Sequence, residues 1–153
     1  MCIRDRNVDR VRKQLEIDEG VVYEIYNDHL GYPTFGIGHL IKDTDLEYDW
    51  VVGSFVSEKR VQEAFEADLT VACSECSVLY YDWHRYPEEV QEILVNMMFN
   101  LGRPRLSKFK NMKKALDDRN WKLAAIEGRD SLWYRQVGNR AERLMTRMEN
   151  VDS

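Results

Sequence analysis

Two carboxylates and a threonine near the N-terminus have the types and spacing that hydrolysis of a glycosidic bond requires. Glu19 follows a helical pattern, where half cover by apolar neighbours could keep it protonated as a general acid. Asp28 lies in a polar turn, where a carboxylate stays ionised and could act as a base, and Thr34 could orient a water molecule. Two carboxylates in contrasting environments are typical of glycosidases.

Each of these residues also has an ordinary structural interpretation. The chain contains 27 Asp and Glu residues, so solvated surface acids explain most pairs at this spacing. Threonine is also a good strand residue. His39 is more often a buried, hydrogen-bonded histidine than a base, and Asp68 on a later helix is its candidate partner. The chemistry therefore depends on the elements that position these side chains.

A hairpin is the element expected to bring Asp28 and Thr34 together. Residues 23–26 and 34–37 read as strands, and residues 27–33 between them are rich in the turn formers Asn, Asp, Gly and Pro. Apolar spacing predicts a short helix from Val8 to Ile17, which Gly20 would end. Gly36 and Gly38 lack Cβ atoms and permit a bend or a close backbone approach.

The rest of the chain reads as mainly helical. A long helix is predicted from about 57 to 79, after an acidic connection over 42–56. A strongly apolar helix, expected to lie in a core, begins after Pro87 and ends at Gly102. Further helices are expected around 108–116, 121–128 and 139–148. The first six residues, MCIRDR, fit no helical pattern.

Charge is unevenly distributed along the chain. The net charge is −5, but residues 102–149 hold 13 Lys and Arg against 6 Asp and Glu, a net +7, whereas residues 1–101 hold 9 and 20, a net −11. The basic part suits an anionic polymer such as cell wall or nucleic acid, or is simply a solvated helical surface. The acidic N-terminal part argues against a general nucleic-acid binder.

The sequence contains fewer indications of where the protein is located and whether it binds a metal. The charged N-terminus has no apolar signal-peptide core, and no run of 18 apolar residues appears. The three cysteines are an odd number, which fits a reducing compartment. Cys73 and Cys76 form a C-x-x-C pattern without a second cysteine pair, so we interpret them as structural thiols rather than zinc ligands.

Residues 19–40, EGVVYEIYNDHLGYPTFGIGHL, resemble the lysozymes of T-even bacteriophages, the muramidases of glycoside hydrolase family 24. The resemblance continues in N-M-x-F-x-x-G at 96–102, in a tryptophan at 121 with two alanines at 124 and 125, and in W-Y-x-Q-x-x-N-R-A at 133–141. It covers roughly residues 8–150. It implies an α+β, mostly helical, two-lobed fold.

By this resemblance the chain forms a single domain over residues 1–153. Its parts would be an N-terminal β-sheet lobe at about 8–60, a connecting helix at about 57–79 and a helical lobe at about 80–150. The cleft between the lobes would bind peptidoglycan. The implied reaction hydrolyses, with inversion, the β-1,4 bond between N-acetylmuramic acid and N-acetylglucosamine. Glu19 matches the general acid, Asp28 the second carboxylate and Thr34 the threonine that helps to place the water.

The resemblance also assigns supporting roles. Leu40 and Phe99 match substrate contacts, Arg140 matches an arginine that pairs with the catalytic glutamate, and His39 with Asp68 matches a structural ion pair.

Three positions depart from the family pattern. Met112 and Glu127 replace a serine and an asparagine that touch substrate, and His29 replaces a small polar residue beside Asp28. Substrate binding in the C-terminal part is therefore expected to differ in detail.

The implied biology is that of a monomeric endolysin that needs no cofactor, metal or nucleic acid. It would accumulate in the host cytoplasm and reach the periplasmic wall after a holin-type membrane protein opens the membrane. A lysozyme module of a phage tail device is the second interpretation. A wall-binding protein without catalysis is the third, and the presence of Glu19, Asp28 and Thr34 argues against it.

Overall fold

The computed structural model describes residues 5–152, with side chains from residue 8 onward. The elements in chain order are helix α1 (Asp5–Glu19), strands β1 (Val22–Asn27), β2 (Pro33–Gly36) and β3 (His39–Leu40), helices α2 (Glu58–Leu79), α3 (Glu88–Leu101), α4 (Arg103–Leu106), α5 (Lys110–Asp117), α6 (Trp121–Arg129), α7 (Leu132–Val137) and α8 (Asn139–Glu149), with a short 3₁₀ turn at Trp83–Arg85 before α3. The predicted α+β, mostly helical, lysozyme-like fold is confirmed.

The sequence pattern located most elements but not all of them. Helix α1 begins at Asp5, before the predicted start, and residues 1–4 of MCIRDR lie outside the described residues. Strand β3 and the short helices α4 and α7 were not predicted, because two to six residues carry too little periodicity to be recognised.

Internal contacts divide the chain into two compact units whose boundary falls within α2. One unit comprises Val8–Val71, and the other continues from Ala72. We refer to them as the N-terminal unit and the C-terminal unit. The division into lobes that the resemblance implied stays a prediction.

The N-terminal unit is an antiparallel three-stranded sheet in the order β1-β2-β3, packed with α1 and the first part of α2. Its core is formed by apolar side chains that are at most 4 % exposed, which include Val11, Leu15, Ile25, Phe35, Val61, Phe65 and Leu69. Gly36 has φ +67°, and a Cβ there would lie 3.1 Å from Val61 Cγ1, so a glycine permits the sheet to pack against α2.

The C-terminal unit is built around α3, as its apolar face predicted. Every side chain from Val90 to Met98 is buried. Helices α6 and α8 pack closely, since a Cβ at Gly128 would collide with the sulfur of Met145. None of the described helices is long and apolar enough to span a membrane.

The cysteine interpretation is half right. Cys76 is a free, buried thiol, and burial raises its pKa. Cys73 is disulfide-bonded, so the expectation of a thiol there is wrong. A sequence pattern cannot show which cysteines approach one another in space.

Candidate active site

Glu19 is the last residue of α1, which ends abruptly at the following glycine. The chain leaves the helix through Gly20, which has φ +79°, and Gly20 N donates to Glu16 O at 2.9 Å. A residue in the left-handed conformation is a common helix terminator, and glycine adopts it without strain. The Glu19 side chain is therefore fixed at the junction of α1 and β1, where it is half-buried.

The carboxylate of Glu19 lies against the turn between β2 and β3. A Cβ placed on Gly38 would be 3.1 Å from Glu19 Oε1 and 3.5 Å from Glu19 Cβ. Gly38 also has φ +65°. A side chain at this position would both strain the turn and press on the proposed acid. The sequence indicated a close approach at this glycine, but only the structure shows that Glu19 is the group that approaches.

Asp28 is held by the turn that joins β1 to β2. Its Oδ1 accepts hydrogen bonds from Leu30 N and Tyr32 N, both at 2.9 Å, and its own N donates to Tyr32 O. Such side-chain bonds to the following backbone are the reason that aspartate favours turns. They fix the carboxylate through Oδ1, and Oδ2 takes no part in these two bonds.

Thr34 is buried, with 4 % of its surface exposed, and its Oγ1 donates to Tyr32 O at 2.9 Å. Because the hydroxyl proton is used in that bond, the oxygen remains as an acceptor. The backbone of Tyr32 therefore holds both groups, with its N–H on Asp28 and its carbonyl on Thr34. The structure brings together these two residues, which the predicted hairpin placed in one neighbourhood.

The strand register sets a row of three side chains across the sheet. Tyr26 of β1 pairs with Thr34 of β2, and Thr34 pairs with Leu40 of β3. Residues directly opposite in antiparallel strands share a face. Leu40 is 46 % exposed beside the buried Thr34, so its apolar surface is open to a ligand.

Tyr26 had no role in the sequence-based interpretation. The pKa of its hydroxyl is raised by burial first, and then by the negative charges of Glu19 and Asp28. The hydroxyl of Tyr26 therefore holds its proton more tightly than that of an exposed tyrosine. The Y-x-D pattern at residues 26–28 was the available signal for this residue.

His39 is buried and belongs to a network of partly buried ionisable side chains. Its Nδ1 is 2.7 Å from Asp68 Oδ2, and its Nε2 is 2.9 Å from Asp45 Oδ2. Burial alone would lower the pKa of His39, but the hydrogen bonds and charges of the two aspartates outweigh it, so the pKa is raised. Arg60 extends the network through Nε to Glu47 Oε2 at 2.7 Å. The sequence did not indicate Asp45, Glu47 or Arg60.

Two residues assigned to the site by resemblance lie in the C-terminal unit. Phe99 is on α3 and is partly buried. Arg140 lies in the first turn of α8, where its Nε donates to Asn96 Oδ1 at 2.9 Å and its Nη2 to Asn96 O at 3.1 Å. The pairing of Arg140 with Glu19 and the substrate contact of Phe99 stay predictions.

Two of the departures from the family pattern lie beside one cavity of the C-terminal unit. This cavity has a volume of about 370 Å³, and Met112 and Glu127 both line it. Met112 is 1 % exposed and belongs to the core below the cavity, whereas Glu127 is partly exposed. The third departure, His29, is exposed in the β1–β2 turn. Among residues 8–152, no cluster of three or more His, Cys, Asp or Glu side chains is arranged to hold a metal ion.

A glutamate at a helix end, an aspartate in a turn and a threonine on the neighbouring strand of a small sheet, within a mostly helical chain, agree with the arrangement expected of a glycoside hydrolase of the lysozyme class. The family model described as phage lysozyme matches residues 16–150, and the chain belongs to the phage lysozyme family. It is therefore a muramidase.

Relatives include both short and long proteins. "Probable T4-type lysozyme 2" of Dictyostelium discoideum is 30% identical, over 93% of this chain and 95% of the relative. The "Pre-baseplate central spike protein Gp5" of Enterobacteria phage T4 is 29% identical, over 86% of this chain but 26% of the relative. The "Peptidoglycan hydrolase gp36" of Pseudomonas phage phiKMV is 29% identical, and this chain spans 15% of its length.

Proposed function

We propose that this muramidase hydrolyses the β-1,4 bond between N-acetylmuramic acid and N-acetylglucosamine in bacterial peptidoglycan with inversion at the sugar carbon. Glu19 donates its proton to the leaving oxygen. Asp28, assisted by Thr34, places and deprotonates the attacking water. One relative is named as a peptidoglycan hydrolase, which supports this choice of substrate.

The observation that carries the proposal is the shared anchoring of Asp28 and Thr34 on Tyr32. The Asp28 carboxylate and the Thr34 oxygen are both acceptors, and both are fixed by the same backbone residue. A water molecule has two protons to donate, so two neighbouring acceptors can hold and orient it. Deprotonation by an ionised aspartate then makes that water a nucleophile.

Glu19 is held independently, at the end of α1 and against Gly38. The proposed acid and base therefore belong to different elements and need not move together. In inverting glycosidases the two carboxyl groups stand about 6.5–9.5 Å apart, which leaves room for a water. Proton NMR of the first product formed tests this point, because an inverting enzyme releases the α-anomer and a retaining enzyme the β-anomer.

The principal test is the clearing of purified Gram-negative cell walls by the wild type and by Glu19→Gln, with mass spectrometry of the released fragments. Glutamine has nearly the volume of glutamate but no proton to give. We expect muropeptides with a free reducing end from the wild type, and a loss of at least about 100-fold in Glu19→Gln. Glu24→Gln is the matched control, since Glu24 is an exposed glutamate of the same unit.

Three outcomes contradict parts of the proposal. Substantial activity in Glu19→Gln would remove this residue as the acid. Fragments ending in an anhydro-sugar would indicate a lytic transglycosylase. Wall binding without fragments from the folded wild type would leave a binding protein.

We also propose that the protein acts as an endolysin from the host cytoplasm, as the family resemblance implies. The long relative from phage T4 favours a second candidate, a lysozyme module of a phage tail device. Cytoplasmic expression in a Gram-negative host tests the endolysin role, which predicts lysis only after chloroform or a holin-type protein opens the membrane. Recovery of the protein in purified phage tails, rather than free in the host cytoplasm, would favour the tail role.

A further inference from the structure

We propose that residues 46–55 carry an accessory subsite, at which Trp50 and Phe55 pack against an N-acetylated sugar of the glycan strand beyond the two sugars that flank the cleaved bond. The inference rests on the proposed function and extends it to the length of substrate that the protein recognises. We refer to the side chains of Leu46, Trp50 and Phe55 as the apolar edge.

The first support is the amount of apolar surface that this segment leaves open. Six of its large apolar side chains are at least 43 % exposed: Leu46, Tyr48, Trp50, Val51, Val52 and Phe55. Exposed apolar surface that is concentrated in this way commonly marks a binding site. Residues 50–57 also contain no charged side chain, which suits a neutral ring such as a sugar.

The second support is a shallow cavity that brings the apolar edge together. It has a volume of about 270 Å³ and is lined by Leu46, Trp50 and Phe55, and Ser57 and Arg60 also contribute to its lining. Ligand sites typically combine apolar and aromatic walls with a few polar groups. A sugar ring has an apolar face of C–H groups and an edge of hydroxyl and amide groups. It therefore matches both parts of this lining.

Backbone hydrogen bonds hold the end of this segment beside β1. Ile25 N donates to Ser54 O at 2.9 Å, and Gly53 N donates to Ile25 O at 2.7 Å. Val56 N donates to Tyr23 O at 2.9 Å. The segment therefore extends the sheet on the side of β1 that β2 does not occupy. A backbone that is already ordered loses little further freedom when a ligand binds.

The exposed face of this extension continues the face of the sheet that carries part of the candidate site. Ile25 and Val56 are each 1 % exposed and point into the core. Because side chains alternate along a strand, Tyr26 beside Ile25 and Phe55 beside Val56 lie on the other face. Thr34 is opposite Tyr26 and shares that face. Two strand spacings separate Phe55 from Thr34 by at least about 9 Å, so a sugar at Phe55 would be a further member of the same glycan strand.

The test compares long glycan strands with short peptidoglycan fragments as substrates of the wild type and of Phe55→Ser. Only a long strand can occupy the accessory subsite and the cleaved position together. We expect the ratio of kcat/KM for long strands to kcat/KM for short fragments to fall by about 3- to 10-fold, the range for losing one aromatic contact. Trp50→Ser should lower the same ratio, and Phe55→Tyr, which keeps the ring, should retain the wild-type ratio. Phe55 is 72 % exposed, so its replacement should leave the fold intact.

Tyr81→Ser is the matched control, because it removes an aromatic ring that is 93 % exposed and belongs to no strand of the sheet, and it should leave the ratio unchanged. A loss of stability alone would lower activity on both substrates and would not move the ratio. An unchanged ratio in folded Phe55→Ser and Trp50→Ser overturns the inference.

Two further measurements separate the other possible occupants of the apolar edge. If the wild type bound phosphatidylcholine vesicles, or dimerised, and Phe55→Ser did neither while keeping the wild-type ratio, the edge would serve a lipid surface or a second copy, and the inference would be wrong. A wild type that cleaves both substrates without any preference for long strands also overturns it. Failure of the wild type to cleave either substrate overturns the proposed function instead.

Discussion

The N-terminal unit contains two groups of carboxylates whose described surroundings within that unit differ. The first, which we term the paired carboxylates, comprises Asp45, Glu47 and Asp68, and their partners are His39 and Arg60. The second, the site carboxylates, comprises Glu19 and Asp28. The bonds to Asp28 come from backbone N–H groups, and Glu19 lies against Gly38.

This difference suggests that the paired carboxylates stabilise the fold, whereas the site carboxylates serve the reaction. A carboxylate that pairs with a buried cation is held ionised, because either partner alone would be costly to bury. The Glu47 side chain has no exposed surface, and Arg60 reaches both of its oxygens. A general acid or base must instead gain or lose its proton during turnover. The two groups should therefore respond differently to the same substitutions.

The largest expected contrast is between Asp28→Asn and Asp45→Asn. In Asp28→Asn the amide oxygen of the new side chain would still accept from Leu30 N and Tyr32 N, so stability should change little. Activity should fall by at least about 100-fold, because the base is lost. Asp45→Asn should do the reverse, lowering the melting temperature while the folded enzyme keeps its kcat. Steady-state kinetics and thermal denaturation of both variants check this contrast. If Asp28→Asn lowered the melting temperature and Asp45→Asn did not, the assignment of the two groups would be wrong.

Arg60→Met should give the next largest effect, on stability. It leaves Glu47 buried without its cation, and breaking a buried pair by removing one partner costs about 3–5 kcal/mol. Urea denaturation measures the loss, and kcat of the remaining folded protein should be unchanged. Lys59→Met removes a charge from the preceding exposed position and is the control. Equal stability of the two variants would show that Glu47 needs no cation.

The smallest expected effect is the pH dependence of stability that His39 produces. Because its pKa is raised in the folded protein, its contribution is fully present below its unfolded pKa of about 6.5 and is lost as pH rises through the folded value. The free energy of unfolding should therefore decline from about pH 6 upward. His39→Gln should show no such decline in urea titrations, and an identical slope in both proteins would assign the effect to another group.

Much of the fold followed from local patterns. The turn residues between Tyr26 and Thr34 predicted the hairpin, and the apolar face after Pro87 predicted the buried helix α3. Such features depend on neighbours within a few residues, which sequence displays directly. The disulfide at Cys73 could not be found in this way, because it depends on which thiols the folded chain brings together.

The sequence by itself determined the residue types of the candidate site and the hairpin that carries two of them. It also determined the family, because the pattern from Glu19 to Leu40 is specific. Only the tertiary structure decided which groups meet. It placed Gly38 against Glu19, tied Asp28 and Thr34 to the backbone of Tyr32, and set Tyr26 opposite Thr34 across the sheet. Residue types and local conformation can be read from the sequence, because they depend on neighbouring residues. Side-chain contacts between elements depend on strand register and packing, which only the folded chain defines.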